Sequence, residues 1–250
     1  MQTMKQNMKG YTATDEWVWT TLFTRQFKQL QGFACEDYLK CVRKMYPVLN
    51  AHSIPDFEKI NHWFENQTGW TIEVVPGLIP VEDFFELLSQ KRFCSSTWLR
   101  KPDSLDYLEE PDMFHDIFGH IPLLAHPVFS DFAHQFGKLG VKLKNNKEAI
   151  IALQRLYWYT IEFGLIKEND LKIYGAGIIS SFGETSVSVS SKVKHTDFDI
   201  IDVLNKTFRT DVMQEEYVVI KSFDQLFNSI REMEKHFDEQ LLNQNALSII

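Results

Sequence analysis

The run AIIALQRLYWYTIEFG, residues 149–164, constrains the fold more than any other part of this chain. It is the most apolar helix-like stretch and belongs to a long helix expected from Lys147 to Gly164. Its apolar half contains a carboxylate, Glu162. A glutamate placed there is expected to be buried, and buried carboxylates are seldom left without a partner. Either an arginine or a metal ion would satisfy it.

The remaining patterning is also mostly helical. Helices are expected at 17–30 (an apolar stripe of Trp17, Leu22, Phe23, Phe27 and Leu30), 36–45, from Asp56 through Phe64, 81–90, 130–139, 198–204 and 222–242. Short strands are expected at 71–75 and 217–220, with an extended segment at 93–99. Gly175, Gly177 and Gly183 mark a loop-rich stretch. No internal repeat or linker interrupts residues 15–240. The expected fold is mainly α with a few short β-strands: a flexible tail over residues 1–14, then one domain over residues 15–250.

Charge and cysteine usage narrow the function classes. The formal net charge of −8 speaks against a nucleic-acid surface and against a polybasic membrane patch. Cys35, Cys41 and Cys94 are odd in number and form no C-x-x-C pair, which fits a reducing compartment better than a disulfide framework or a zinc ribbon. The first ten residues lack an apolar signal core, and no run of eighteen apolar residues exists. A cytoplasmic protein without membrane or nucleic-acid partners is expected.

The densest chemistry lies in EEPDMFHDIFGHIPLLAHP, residues 109–127. His115 and His120 are five apart, which on a regular α-helix turns them roughly 140° from each other. A metal pair on one helical face prefers four. The pair therefore needs a distortion, and Gly119 followed by Pro122 supplies a reason for one. Two structural histidines remain the ordinary alternative. With Glu162 as third ligand the set becomes two His and one carboxylate, as in non-haem Fe(II) oxygenases. The same donors on zinc would instead suggest hydrolysis. Asp116 could orient a ligand or a metal-bound water, and His126 could line the site, although a structural role suits it better.

Three motifs in order, EPDMFHDIFGHIPLL (110–124), LYWYTIEFGL (156–165) and YGAGIISSFGE (174–184), closely resemble the aromatic amino acid hydroxylases, and most of all the catalytic domain of bacterial phenylalanine 4-hydroxylases. The resemblance runs from about Tyr11 to Phe237. It implies a pterin-dependent iron monooxygenase whose Fe(II) is held by His115, His120 and Glu162. The implied reaction takes L-phenylalanine, O2 and a tetrahydropterin to tyrosine and a hydroxylated pterin. The pterin side would comprise Gly77, Leu78, Ile79 and Phe84, from VPGLIPVEDFF, with Asp116 and Tyr157. Arg100 and Asp112 would hold the amino acid; Pro111, Trp158, Phe163 and Ser180 would complete its pocket. Trp158 favours a single-ring substrate over tryptophan. Leu108 and Cys94 depart from the animal pattern of Thr and His, and the segment FRTDVMQ (208–214) is variable in the family. Tryptophan or tyrosine hydroxylation, a zinc hydrolase and a metal-stabilised binding protein are the alternatives. The C-terminal helix around Ile230, Met233, Phe237 and Leu241 is too short for a sustained coiled-coil seam, so a monomer is expected.

Overall fold

The computed structural model describes residues 4–106 and 110–247, with side chains as far as residue 238. Leu108 and the side chain of Leu241 thus lie outside the described residues. Ten α-helices and six short strands follow one another among the described residues, which matches the expected class.

Helix α1 (Ala13–Phe33) starts earlier than its apolar stripe suggests. Thr12 and Asp15 form a reciprocal capping box that satisfies the first free backbone N–H groups. Within the helix Trp17 lies on the outside, 51% exposed, while Val18 and Trp19 enter the core. The segment expected as a flexible tail is tied to the body from Gln6 onward. The Gln6 carboxamide donates to the Pro55 carbonyl (2.9 Å) and accepts from the Phe57 amide (2.9 Å), and the Tyr11 hydroxyl donates to the Thr97 carbonyl (2.8 Å). Such single-residue links leave no trace in hydrophobic periodicity.

Helices α2 (Glu36–Met45) and α3 (Phe57–Glu65) follow; Asp56 caps α3 by accepting from Glu58 and Lys59. Next comes a compact βαβ unit. Strands β1 (Thr71–Val74) and β2 (Arg92–Ser95) pair in parallel, and α4 (Val81–Ser89) crosses between them. Helix α5 (Pro127–Leu143) packs closely on α4. A Cβ on Gly140 would fall 2.2 Å from the Phe85 ring, so this contact requires glycine.

Helix α6 (Lys147–Tyr157) is capped by Asn146. It does not continue to Gly164 as a regular helix: Trp158–Glu162 widens into a π turn, closed by the Phe163 amide donating to the Trp158 carbonyl (2.9 Å). Strands β3 (Leu165–Lys167) and β4 (Leu171–Ile173) follow as an antiparallel pair. The expected loop after Gly175 is instead two short helices, α7 (Ala176–Ser180) and α8 (Phe182–Ser188). Ser181 caps α8, and Gly175 and Gly177 mark tight approaches rather than loop. Strand β5 (Lys194–Asp197), helix α9 (Ile200–Asn205), strand β6 (Glu216–Ile220) and helix α10 (Phe223–Leu247) complete the chain. The second sheet runs β4-β3-β6-β5. Leu226, Ile230, Met233 and Phe237 of α10 are buried, and the helix lies along α5. None of the described helices is long and apolar enough to cross a membrane.

Candidate metal centre

The five-residue spacing of the histidines is resolved by the backbone. Residues His115–His120 form a π turn. With about 4.4 residues per turn, i and i+5 come within roughly 50° of each other, so both imidazoles leave the same face. Glu162 ends the second π turn. A Cβ on Gly175 would sit 2.4 Å from the Glu162 carbonyl oxygen, so glycine is what lets the chain after β4 close against this ligand.

The three donor atoms converge. His120 Nε2 lies 3.1 Å from His115 Nε2 and 3.1 Å from Glu162 Oε1, and His115 Nε2 lies 3.7 Å from Glu162 Oε2. One ligand atom from each residue falls within 4.8 Å of the others, a spacing that one ion can bridge. The protonation states suit a cation. Burial alone would raise the Glu162 carboxyl, but His120 and His115 beside it bring it down to about 2, so it is ionised. Burial lowers His115 to about 4 against the opposing pull of Glu162, so its ring is neutral. Metal ligands require these forms.

The ring of His115 is fixed from behind. Its Nδ1 lies 2.9 Å from Ser180 Oγ, and that hydroxyl donates to the Ala176 carbonyl (2.9 Å). With its own hydrogen committed, Ser180 can only accept from His115 Nδ1–H. The tautomer follows, and Nε2 is left bare for a metal. Phe93 packs against the His120 ring at 4.8 Å. Burial and the Glu162 charge push the Tyr157 phenol well above its ordinary value, so it stays protonated.

These ligands open onto a cavity of about 310 Å³. Gly77, Leu78, Ile79, Phe84, Pro111, Asp116, Tyr157 and Trp158 of the expected site line it. Phe84 meets the Tyr157 ring edge-on at 5.2 Å. Asp116 accepts from the Ser96 amide (3.0 Å), and burial pushes its carboxyl up to about 7. Arg100, Asp112, Phe163 and Ser180 stand behind the lining. Arg100 donates from Nε and Nη2 to the two oxygens of Asp112 (2.9 Å each), and Asp112 also accepts from the Arg100 and His115 amides. Burial works against the Asp112 carboxylate, but Arg100 prevails and holds it below the usual range. Phe163 rests against Trp158 at 4.5 Å.

Phe93, Ser96, Gln154 and Phe208 also line the cavity, and sequence reasoning did not assign them. Only Phe208 had a signal, as the first residue of the variable segment 208–214. His126 stays outside the lining and caps α5 by accepting from the Phe129 amide (3.4 Å).

Comparisons with known proteins agree with this geometry. The family model described as biopterin-dependent aromatic amino acid hydroxylase matches residues 4–245. The phenylalanine-4-hydroxylase of Chromobacterium violaceum is 45% identical over 229 residues, which is 91% of this chain and 76% of that protein. The structure of the C. violaceum phenylalanine hydroxylase with bound iron(III) and 7,8-dihydrobiopterin is similar at a TM-score of 0.88 and 44% identity, covering 95% of this chain and 86% of that one. Its iron- and phenylalanine-bound form matches at a TM-score of 0.85 and 44% identity, covering 91% and 82%.

Proposed function

The chain belongs to the biopterin-dependent aromatic amino acid hydroxylases, and from that premise we propose that it works as a phenylalanine 4-monooxygenase. One observation carries the reading: His115, His120 and Glu162 meet at one point, on the wall of a cavity with an aromatic lining. L-phenylalanine, O2 and a tetrahydropterin are consumed; one oxygen atom enters the ring to give tyrosine and the other hydroxylates the pterin. Ferrous iron and the tetrahydropterin, when bound, supply the oxygen activation and two electrons.

The protein's own part is placement. His115, His120 and Glu162 would hold the ion at the cavity wall. Gly77, Leu78, Ile79, Phe84, Asp116 and Tyr157 form the pterin side, a role supported by their shared lining and by the flat rings of Phe84 and Tyr157. Arg100 is held by Asp112 through Nε and Nη2, which leaves Nη1 for the substrate carboxylate. Pro111 and Trp158 border the substrate ring; Phe163 acts through Trp158, and Ser180 through His115.

We place the protein in the cytoplasm, a reading supported by three free thiols, two of them buried. We infer a monomer, because α10 spends its buried apolar residues on α5 of the same chain. The test is anaerobic loading with Fe(II), then phenylalanine, a tetrahydropterin and air. Tyrosine in step with pterin oxidation is the expected result. No tyrosine under any iron or pterin condition refutes the activity.

A further inference from the structure

Trp158 borders the cavity, and two rings pack against its indole: Phe163, tilted, at 4.5 Å and Phe208, stacked, at 4.7 Å. Stacking alone leaves an indole free to slide in its plane; a directional bond removes that freedom. Trp158 Nε1–H donates to Gln214 Oε1 (3.1 Å).

Gln214 is unusually committed. Its carboxamide donates both hydrogens into its own loop, to the Arg209 carbonyl (2.9 Å) and the Val212 carbonyl (3.0 Å). This fixes which end of the amide faces Trp158: a flipped amide would set N–H against N–H and carbonyl against carbonyl. The Gln214 backbone N–H donates to Glu184 Oε1 (3.3 Å), and the same oxygen accepts from the buried Tyr217 hydroxyl (2.7 Å) on β6. A continuous set of bonds therefore runs from the second sheet, through the loop that carries Phe208, to the indole at the cavity wall.

We propose that Gln214 is a positioning residue for ring selectivity: it holds Trp158 across the cavity so that a phenyl ring fits and a two-ring indole does not. This rests on the functional reading above. Gln214 has no place in the cavity lining and touches no reacting atom, so it acts through Trp158.

The test compares wild type, Gln214→Leu and Gln214→Met on phenylalanine and tryptophan, with iron content and the tetrahydropterin KM followed throughout. Losing the bond strands a partly buried indole N–H, which corresponds to roughly tenfold. The ratio of kcat/KM for tryptophan over phenylalanine should rise about tenfold in both variants, chiefly through the amino-acid KM, with iron content and pterin KM within twofold of wild type. The same substitutions in a Trp158→Phe background should shift the ratio less than twofold, since that ring has no N–H to hold. Equal losses on both amino acids, or an undiminished shift in the Trp158→Phe background, overturns the proposal. Wild-type turnover of phenylalanine in the same series separates failure of this idea from failure of the functional reading. The 15N-indole resonance of Trp158 reads the bond without turnover: it should move in Gln214→Leu, and an unmoved resonance also overturns the proposal.

Discussion

Replacing Ser180 by alanine isolates the control of the His115 ring. Ser180 touches neither cavity nor ion in this arrangement; it accepts from His115 Nδ1–H at 2.9 Å and is 7% exposed. Alanine would leave that N–H buried without a partner, a loss of about 1–3 kcal/mol. The loss falls on the bound state, where Nε2 must be bare and aimed at the ion. It corresponds to about a 10- to 100-fold weaker Fe(II) affinity, the usual scale for removing the outer partner of a ligand histidine. Anaerobic Fe(II) titration against a competing chelator measures it directly. A Ser180→Thr control keeps the hydroxyl and should recover most of the affinity. If Ser180→Ala bound iron within twofold of wild type, the tautomer argument would be wrong and His115 would be held by packing alone.

Other outcomes follow from the same geometry. Glu162→Gln keeps shape but removes the charge that faces two histidines, and should lower iron stoichiometry by metal analysis and tyrosine formation by at least about 100-fold. Gly140→Ala drives a methyl into the Phe85 ring; overpacking of about 1–3 kcal/mol should lower Tm by roughly 3–10 °C in a thermal melt. Burial raises the Glu184 carboxyl above its ordinary 4.5, against the hydrogen bonds from Tyr217 and Gln214. The folded state then binds more protons than the unfolded one, so Glu184 contributes most below pH 4.5 and its contribution is lost as pH rises through the raised pKa. Glu184→Gln cannot titrate, so urea midpoints should show the variant gaining on wild type as pH rises above 4.5.

Much of this was legible in the chain itself. Helix α2 stands where its repeating apolar face puts it, and strand β6 close to where its unbroken apolar run puts it. The ligand triad was legible too: a glutamate inside an apolar helix needs a partner, and two histidines near a glycine and a proline offered one. What resisted reading was local hydrogen bonding. The start of α1 depends on a Thr12–Asp15 exchange that outweighs the apolar stripe beginning at Trp17. Strands β3, β4 and β5 are only three or four residues long, too short for alternation to register. Helix α7 hides behind glycines that suggest a loop but instead permit close packing against Glu162 and Phe163. The Gln214 amide bonds carbonyls two and five residues away in sequence and an indole 56 residues away, and neither link has a pattern.

The two π turns make the metal centre a matter of counting as well as of chemistry. In an ordinary helix, a ligand's direction survives almost any recoding of its neighbours. Here each histidine points where it does because one additional residue is accommodated between them. Dropping a residue such as Ile117, which has no donor atom at all, would return the turn to regular winding with a four-residue spacing and reset the register of everything after it. The site is therefore guarded against length changes in two stretches of five and six residues, and that constraint falls on silent positions as heavily as on the ligands.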